Sequence, residues 1–520
     1  MSGPAHPPEK TVKTCLRYVA TAVLAAAAAW LLVFVVPPAH AAVGQPPALP
    51  PQALIVQDAV ALRAAPREAA AQQARLWQGE LVEIRGERLE YVQVWDHQRE
   101  RGGYVRASQL RRLSLDAAHA DELLAVLRFV KDSAGSEGLG FGYGAAWLQA
   151  ASPAQLSGPV GAEVLDAVAG AAQRLAQRAS AAGLSRGAQE ALLGQLDAAG
   201  RYGIRFNSHE RGDRMQICYD GELFTRVLAM PAASAEQRAR AALALTDPAC
   251  EDPALGVLQR IQRQEDSASL LDQADAPGLQ PVLKNRLQMR RASVWSAVAF
   301  ERSRQAPAGA QAATAAERAL EALARVEPQG LPDTDAGLMN DAVMRVNASR
   351  WAAVPASMPS KGLQLRTSPG AQAGQTCVSL HGGAVDSAPL WTQCSHGVVW
   401  PASFSVNREG NAAALAVQPM AGWRELWLLR KQAGGWTLSV LPPAPTLPGI
   451  GYAELAGWVP GGRQVLVARE ARGEGRYQRR YEVLDLATLA PQRQASDPSV
   501  LGAFQRWQMP QWKQQSVSLR

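Results

Sequence analysis

Several residue combinations that mark common chemistries are missing from this 520-residue sequence. It contains no Cys-x-x-Cys, no His-x-x-x-His, no His-Glu-x-x-His and no Gly-Lys-Ser/Thr. These absences argue against a zinc ribbon, a thioredoxin-like redox centre, a zinc metalloprotease and a P-loop nucleotide site. Lysine is scarce, and the arginines are scattered singly rather than clustered as in nucleic-acid-binding proteins. We therefore expect no nucleic-acid partner, no metal and no cofactor.

The overall composition is that of a globular protein. Basic residues number 53 against 46 acidic ones, for a net charge of +7, and 47% of the residues are hydrophobic. At roughly 150 residues per domain, the length predicts three or four domains.

The N-terminal region has the features of an export signal. Lys10, Lys13 and Arg17 precede an uncharged, mostly apolar run over residues 18–36, and Ala39-His40-Ala41 follows it. This order predicts a signal peptide cleaved after Ala41. A retained membrane anchor is the alternative, because the run as a helix would reach about 28 Å. Both interpretations place the remainder outside the cytoplasm, as a periplasmic or exported protein or one anchored in the inner membrane. Residues 42–52 form a Pro-rich linker.

Four cysteines follow the N-terminal region: Cys218, Cys250, Cys377 and Cys394. An even number of cysteines in an oxidising compartment favours disulfides. Three pairings are possible, and we expect Cys218–Cys250 and Cys377–Cys394, because each pair lies within one predicted domain.

Residues 53–113 predict a small antiparallel barrel, since short alternating segments are separated by glycine and charged turns. This stretch resembles bacterial SH3-like domains. The resemblance rests on Val60-Ala61-Leu62-Arg63 followed by Pro66, on Gly79-Glu80-Leu81-Val82, on Val92-Gln93-Val94 and on Gly103-Tyr104-Val105.

The resemblance implies attachment of an exported protein to cell-wall peptides or to other proteins. Tyr91, Trp95 and Tyr104 are the candidate ligand-binding residues, because aromatic rings lining a groove can stack on a peptide or glycan. The alternative is that these rings fill a very small core.

Residues 115–355 predict an irregular helical domain. Leu123, Leu127 and Val130 recur at helical spacing, and residues 215–219 are the exception, a short predicted strand. We expect the glycine run from Gly138 to Gly144 to be a flexible connector, since no strand leads into it as a nucleotide-binding loop requires.

Residues 356–520 predict a β-rich domain. Nine tryptophans lie between Trp351 and Trp512, and residues 402–417 and 456–468 echo each other as strand, polar glycine turn and strand. This region resembles β-propellers of the TolB type, with three or four blades at about 40–50 residues each. A partial propeller, a sandwich and a ring completed by another region all stay open. The predicted fold class is thus multidomain α+β, with a small SH3-like barrel, a helical middle and an all-β, partly propeller-like C-terminal region.

Three motifs hint at chemistry, and each has a plainer explanation. Gly183-Leu184-Ser185-Arg186-Gly187 matches Gly-x-Ser-x-Gly, but the preceding sequence is helical, so we expect a helix–helix turn. His381, Asp386 and His396 are a possible metal set, against which we favour a polar loop. Three acidic residues flank Pro248 and Cys250: Asp247, Glu251 and Asp252. They could pair as acids, against which we expect a capped helix end.

The sequence therefore favours a non-enzymatic exported protein that binds peptidoglycan or an envelope protein through its SH3-like and propeller-like modules. A cell-wall hydrolase with the SH3-like module as a targeting arm is one alternative. A membrane-anchored envelope sensor or assembly factor is the other.

Overall fold

The computed structural model describes residues 50–518, except 212–213, 307–308, 330, 357–361, 384–387, 446–447 and 474. The predicted export segment lies outside these residues. Within the described part of the chain, no helix combines the length and the apolar character needed to span a bilayer.

The first seven strands form one antiparallel sheet, here called the N-terminal sheet. They are β1 (Gln52–Ile55), β2 (Val60–Arg63), β3 (Gln72–Leu76), β4 (Leu81–Arg88), β5 (Tyr91–Asp96), β6 (Arg101–Arg106) and β7 (Leu110–Leu113). Their order is β3-β2-β6-β5-β4-β1-β7. β3 and β7 each pair with one strand only and are the edges of the sheet. The sheet therefore does not close into the predicted barrel. Every second residue of the longer strands faces an aliphatic core that includes Val82, Val94 and Val105.

In the described residues of the middle of the chain there are eleven α-helices and one hairpin. The helices are α1 (Ala120–Val130), α2 (Glu137–Ala150), α3 (Pro153–Ser157), α4 (Pro159–Ala179), α5 (Arg186–Arg201), α6 (Glu222–Ala229), α7 (Ala235–Leu245), α8 (Val257–Ala274), α9 (Pro281–Gln305), α10 (Ala310–Ala324) and α11 (Ala336–Ser349). The hairpin consists of β8 (Phe206–Arg211) and β9 (Arg214–Tyr219). The short strand expected at 215–219 is therefore present, and it pairs with a second strand.

The glycine run is not a connector, contrary to the sequence prediction. Gly138 to Gly144 lie inside α2, where the glycines give the helix a nearly smooth surface. A Cβ on Gly138 would collide with the backbone of Gln78, and one on Gly142 would collide with Leu54. Because these glycines lack side chains, the helix packs directly on the N-terminal sheet. This packing restricts the backbone freedom that glycine otherwise has.

The C-terminal region is built of antiparallel sheets. A three-stranded sheet comprises β10 (Gln364–Pro369), β11 (Thr376–His381) and β12 (Trp391–Ser395). An eight-stranded sheet comprises β13 (Val398–Val406), β14 (Ala412–Met420), β15 (Trp423–Gln432), β16 (Gly435–Leu441), β17 (Ile450–Val459), β18 (Gln464–Gly473), β19 (Arg476–Asp485) and β20 (Pro491–Ala495).

The two similar stretches of sequence, residues 402–417 and 456–468, lie in two four-stranded meanders, β13–β16 and β17–β20. A short parallel pairing of β15 with β17, at Trp423–Gly451 and Arg424–Tyr452, joins them into one sheet. Because of this pairing, the meanders are not separate blades, and the described strands form no closed ring. Two helices follow, α12 (Gly502–Trp507) and α13 (Pro510–Ser518). Their Phe504 and Trp512 pack around Tyr481.

Both predicted disulfides are confirmed. Cys218 of β9 is bonded to Cys250, and Cys377 of β11 is bonded to Cys394 of β12. The bonds fit an oxidising, extracytoplasmic environment.

A buried charge cluster joins the helical region to the C-terminal sheets. Glu454 of β17 accepts hydrogen bonds from Arg350 at 2.8 Å, from Arg424 of β15 at 2.6 Å and from the indole of Trp512 at 2.7 Å. Arg424 also donates to the carbonyl of Asn347, in α11, at 2.6 Å. Burial lowers the pKa of Arg424 to about 10. Burial by itself raises the pKa of Glu454, but the two guanidinium charges outweigh it, so this pKa lies below its usual value.

We expect Gly138→Ala to lower the free energy of unfolding by about 1–3 kcal/mol, because the added methyl group must displace the backbone at Gln78. The matched control is Gly200→Ala in α5, where nothing lies within 4 Å of the new Cβ. This control should be as stable as the wild type or slightly more stable. Urea unfolding followed by circular dichroism measures both. Equal stability of the two variants would contradict the close packing of α2 on the N-terminal sheet.

Glu454→Gln should destabilise the protein by about 3–5 kcal/mol, since it leaves two buried cations without their carboxylate. Glu68→Gln, which removes a 76% exposed partner of Arg106, should cost less than about 1 kcal/mol. Since the folded pKa of Glu454 is lowered, its contribution is complete above the unfolded pKa and is lost as the pH falls through the folded pKa. Chemical unfolding at neutral and acidic pH should therefore show a difference between variant and wild type that shrinks in acid. A constant difference would rule out this role of the charge.

Candidate functional sites

The three aromatic candidates lie on one face of the N-terminal sheet. Tyr91 and Trp95 alternate along β5, and Tyr104 of β6 pairs with Gln93 between them. This is the outer face, because the intervening residues, Val92 and Val94, belong to the aliphatic core. The aromatic cluster itself lies outside that core.

Trp95 is held in place from two directions. Its ring packs over Gly102, where a Cβ would come within 3.0 Å of the ring. The guanidinium carbon of Arg85 lies 4.3 Å from the ring centroid, which is a cation–π contact. Arg85 donates through Nε to Glu83 at 3.1 Å, and this bond leaves its two terminal nitrogens for another acceptor. Trp95 and Arg85 thus present a guanidinium that is held over an aromatic ring.

Tyr91 and Tyr104 differ in exposure. Tyr91 is only 5% exposed, and Arg106 lies over it at 5.6 Å. Tyr104 is half-buried and stands beside Arg63 of β2, its partner across the sheet. The accessible part of this outer face therefore includes Trp95 and Tyr104, their neighbouring arginines and the exposed Gln93.

A second candidate site is a cavity that the sequence patterns did not indicate. Its volume is about 1210 Å³, and α4, α7, α8, α9 and α11 contribute lining residues. Ala421, in the turn between β14 and β15, also lines it, so the cavity lies between the helical region and the C-terminal sheets. Cavities at such junctions are common binding sites.

One side of the cavity is formed by residues 245–251, which are the last residue of α7 and the segment that follows it. Their backbone carbonyls accept hydrogen bonds from three arginines: Arg263 at Leu245, Arg290 at Thr246, and Arg211 at Pro248 and Glu251. Cations at these carbonyls are favourable, because the C-terminal end of a helix carries partial negative charge. The Cys218–Cys250 disulfide ties the same segment to β9.

Most of the acidic side chains of the cavity are already paired. Asp166 is bridged to Arg240, Asp335 to Arg286, and Asp341 to Arg472. Among described residues, Arg290 and Arg345 have no carboxylate within salt-bridge distance. Burial lowers the pKa of Arg290, and the positive charge of Arg345 lowers it further. The negative charge of Asp247 acts in the opposite direction. Burial likewise lowers the pKa of Arg345.

The other sequence motifs have structural roles. Ser185 caps α5 by accepting a hydrogen bond from the amide of Ala188, as the helix–helix turn predicts. Asp247 caps the short helical turn Pro248–Cys250. His381 contacts Ser379 at 2.9 Å and His396 contacts Gln372 at 3.0 Å, whereas Asp386 lies outside the described residues.

No family model, curated protein or solved structure matches this chain. In the part of the chain that the structure describes, no group of three or more His, Cys, Asp or Glu residues is arranged to hold a metal. Both candidate sites therefore rest on the geometry of the chain itself. No single motif marks the cavity, because its arginines come from separate helices and from one strand.

Loss of the Cys218–Cys250 disulfide should free the segment 245–251. The free energy of unfolding of the double variant Cys218→Ser/Cys250→Ser should be about 3–4 kcal/mol lower than that of the wild type, because the unfolded chain gains conformational entropy without the bond. Amide hydrogen exchange in residues 245–251 should also become faster. Cys377→Ser/Cys394→Ser is the matched control and should leave exchange in this segment unchanged. Equal exchange in both variants would show that the bond does not hold the segment.

Proposed function

We propose that this protein is a non-enzymatic, exported envelope protein that binds the cell wall through the outer face of its N-terminal sheet. In this proposal, residues 53–113 are an SH3-like domain, and residues 18–36 direct export. The observation that carries the proposal is the placement of Trp95 and Tyr104 on the outer face of one hairpin, half-buried and outside the aliphatic core.

The chemistry of this face suits a polymer with carboxylates and sugar rings, such as peptidoglycan. A carboxylate can accept from the terminal nitrogens of Arg85, which the ring of Trp95 keeps in place. The ring of Tyr104 offers an apolar surface with a polar tip, which suits a sugar or peptide backbone. Because Tyr91 lies under Arg106, its role in this proposal is to position that arginine.

The C-terminal region has a supporting role in the proposal. In this proposal, the loops of its two joined meanders are the surface on which an envelope protein would bind. The two disulfides support export, since such bonds persist in oxidising compartments.

Sedimentation with purified sacculi tests the proposal. The wild-type protein should pellet with sacculi and release no soluble muropeptides. Trp95→Ala and Arg85→Gln should each weaken pelleting by about 10-fold or more, the usual effect of losing an aromatic or arginine anchor. Trp507→Ala, which removes a 43% exposed tryptophan of α12, is the matched control and should pellet as the wild type does.

Two results would overturn the proposal. Absence of pelleting would leave an envelope protein, captured through the C-terminal region, as the partner. Release of muropeptides would identify a hydrolase instead. Thermal unfolding of each variant separates a loss of binding from a loss of folding, and Trp95→Ala is informative only if its melting temperature is retained.

A further inference from the structure

The 1210 Å³ cavity holds more cationic than anionic charge that is not already paired. The lining cations without an ion-pair partner among described residues are Lys131, Arg211, Arg263, Arg290 and Arg345. The corresponding lining acids are Asp132, Asp247 and Glu251. Paired groups cancel to a first approximation, so this excess makes the cavity electropositive.

Arg290 and Arg345 are the central pair. They lie on different helices, α9 and α11, and the charge of Arg345 disfavours the protonated form of Arg290. Arg290 donates to the carbonyl of Thr246, whereas the guanidinium of Arg345 donates to no described residue. The charges of Asp341, Arg472 and Glu251 act on Arg345, and Asp341 is already engaged by Arg472. Two guanidinium groups that line one cavity and have no ion-pair partner among the described residues offer donors and positive charge to a shared anion.

The cavity also contains acceptors that lack donors. The Oε1 atoms of Glu251 and Gln264 are buried and have no hydrogen-bond partner. A buried acceptor without a partner is costly, so a ligand that supplies donors there would be favoured. Hydroxyl or amino groups are such donors, and an inorganic anion such as sulfate or phosphate offers few or none.

We propose that this cavity is a binding site for a small organic anion that also carries hydroxyl or amino groups. Arg290 and Arg345 hold its carboxylate or phosphate, and Glu251 and Gln264 accept from its donors. The cavity volume exceeds what a simple inorganic anion fills and lies slightly above the range of ordinary ligand pockets, about 300–1,000 Å³. The site is separate from the aromatic face that carries the proposed wall binding.

Thermal unfolding and calorimetric titration with defined probes test this site. Glucose 6-phosphate and glucuronate carry the two kinds of anionic group on a hydroxylated ring, glucose lacks the charge, and inorganic phosphate lacks the ring. At least one of the charged sugars should raise the melting temperature and bind, and the stronger one identifies the preferred anionic group. Glucose and inorganic phosphate should bind much more weakly.

Arg345→Gln should weaken binding of the preferred probe by about 10- to 100-fold, the usual effect of losing a charged hydrogen bond. Arg345→Lys keeps the charge without the planar fork and should give an intermediate loss. Without a probe, Arg345→Gln should be as stable as the wild type or more stable, because repulsion with Arg290 is relieved. Arg205→Gln, at a 72% exposed arginine that does not line the cavity, should bind as the wild type does.

Four results would overturn the proposal: no binding of either charged sugar, equal binding of glucose, full binding of inorganic phosphate alone, or a marked loss of stability in Arg345→Gln without a probe. The last result would assign Arg345 a structural role. Arg345→Gln should still pellet with sacculi, so failure of this site and failure of wall binding give different results.

Discussion

The association of the helical region with the C-terminal sheets depends on the ion pairs and hydrogen bonds of the Glu454 carboxylate. This carboxylate lies between Arg350 and Arg424, and Trp512 of the last helix donates to it. Two cations thus share one buried anion, and the remaining donor capacity of Arg424 is satisfied by the carbonyl of Asn347. Charges removed from water are tolerated only when such partners are complete. The cluster therefore fixes how α11, β15, β17 and α13 meet, because any displacement would leave a buried charge unpaired.

The N-terminal sheet packs on the helices in a different way, because glycines without side chains let the two surfaces approach closely. Gly138 packs against the loop at Gln78 and Gly79, and Gly194 accepts the ring of Trp77. Tyr202 adds a hydrogen bond to the carbonyl of Gly79 at 2.6 Å. An SH3-like module acting as a mobile targeting arm would need a flexible junction, whereas here the sheet and the helices share a close-packed boundary. Its outer face is therefore presented in a fixed orientation to the rest of the chain.

The cavity follows from these constraints. Helices α4, α7, α8, α9 and α11 line it together with Ala421 in the turn between β14 and β15, and the disulfide at Cys250 holds the segment after α7. Arg290 and Arg345 both line the cavity, and neither has a carboxylate within salt-bridge distance among the described residues. Such an arrangement costs stability unless a ligand supplies the missing charge.

The sequence by itself determined the local elements and the disulfides. Alternation predicted the strands at β4 and β5, helical spacing predicted α1, and cysteine position within predicted domains identified both pairs, because these signals depend on neighbouring residues or on simple proximity. Only the tertiary structure decided that the run Gly138 to Gly144 is a packed helix, that the two meanders join through β15 and β17, and that Glu454 meets its arginines. Those outcomes depend on which distant surfaces approach, and neither periodicity nor composition encodes the geometry of that approach. For the same reason, the aromatic face was predictable from one hairpin, whereas the arginine cavity was not.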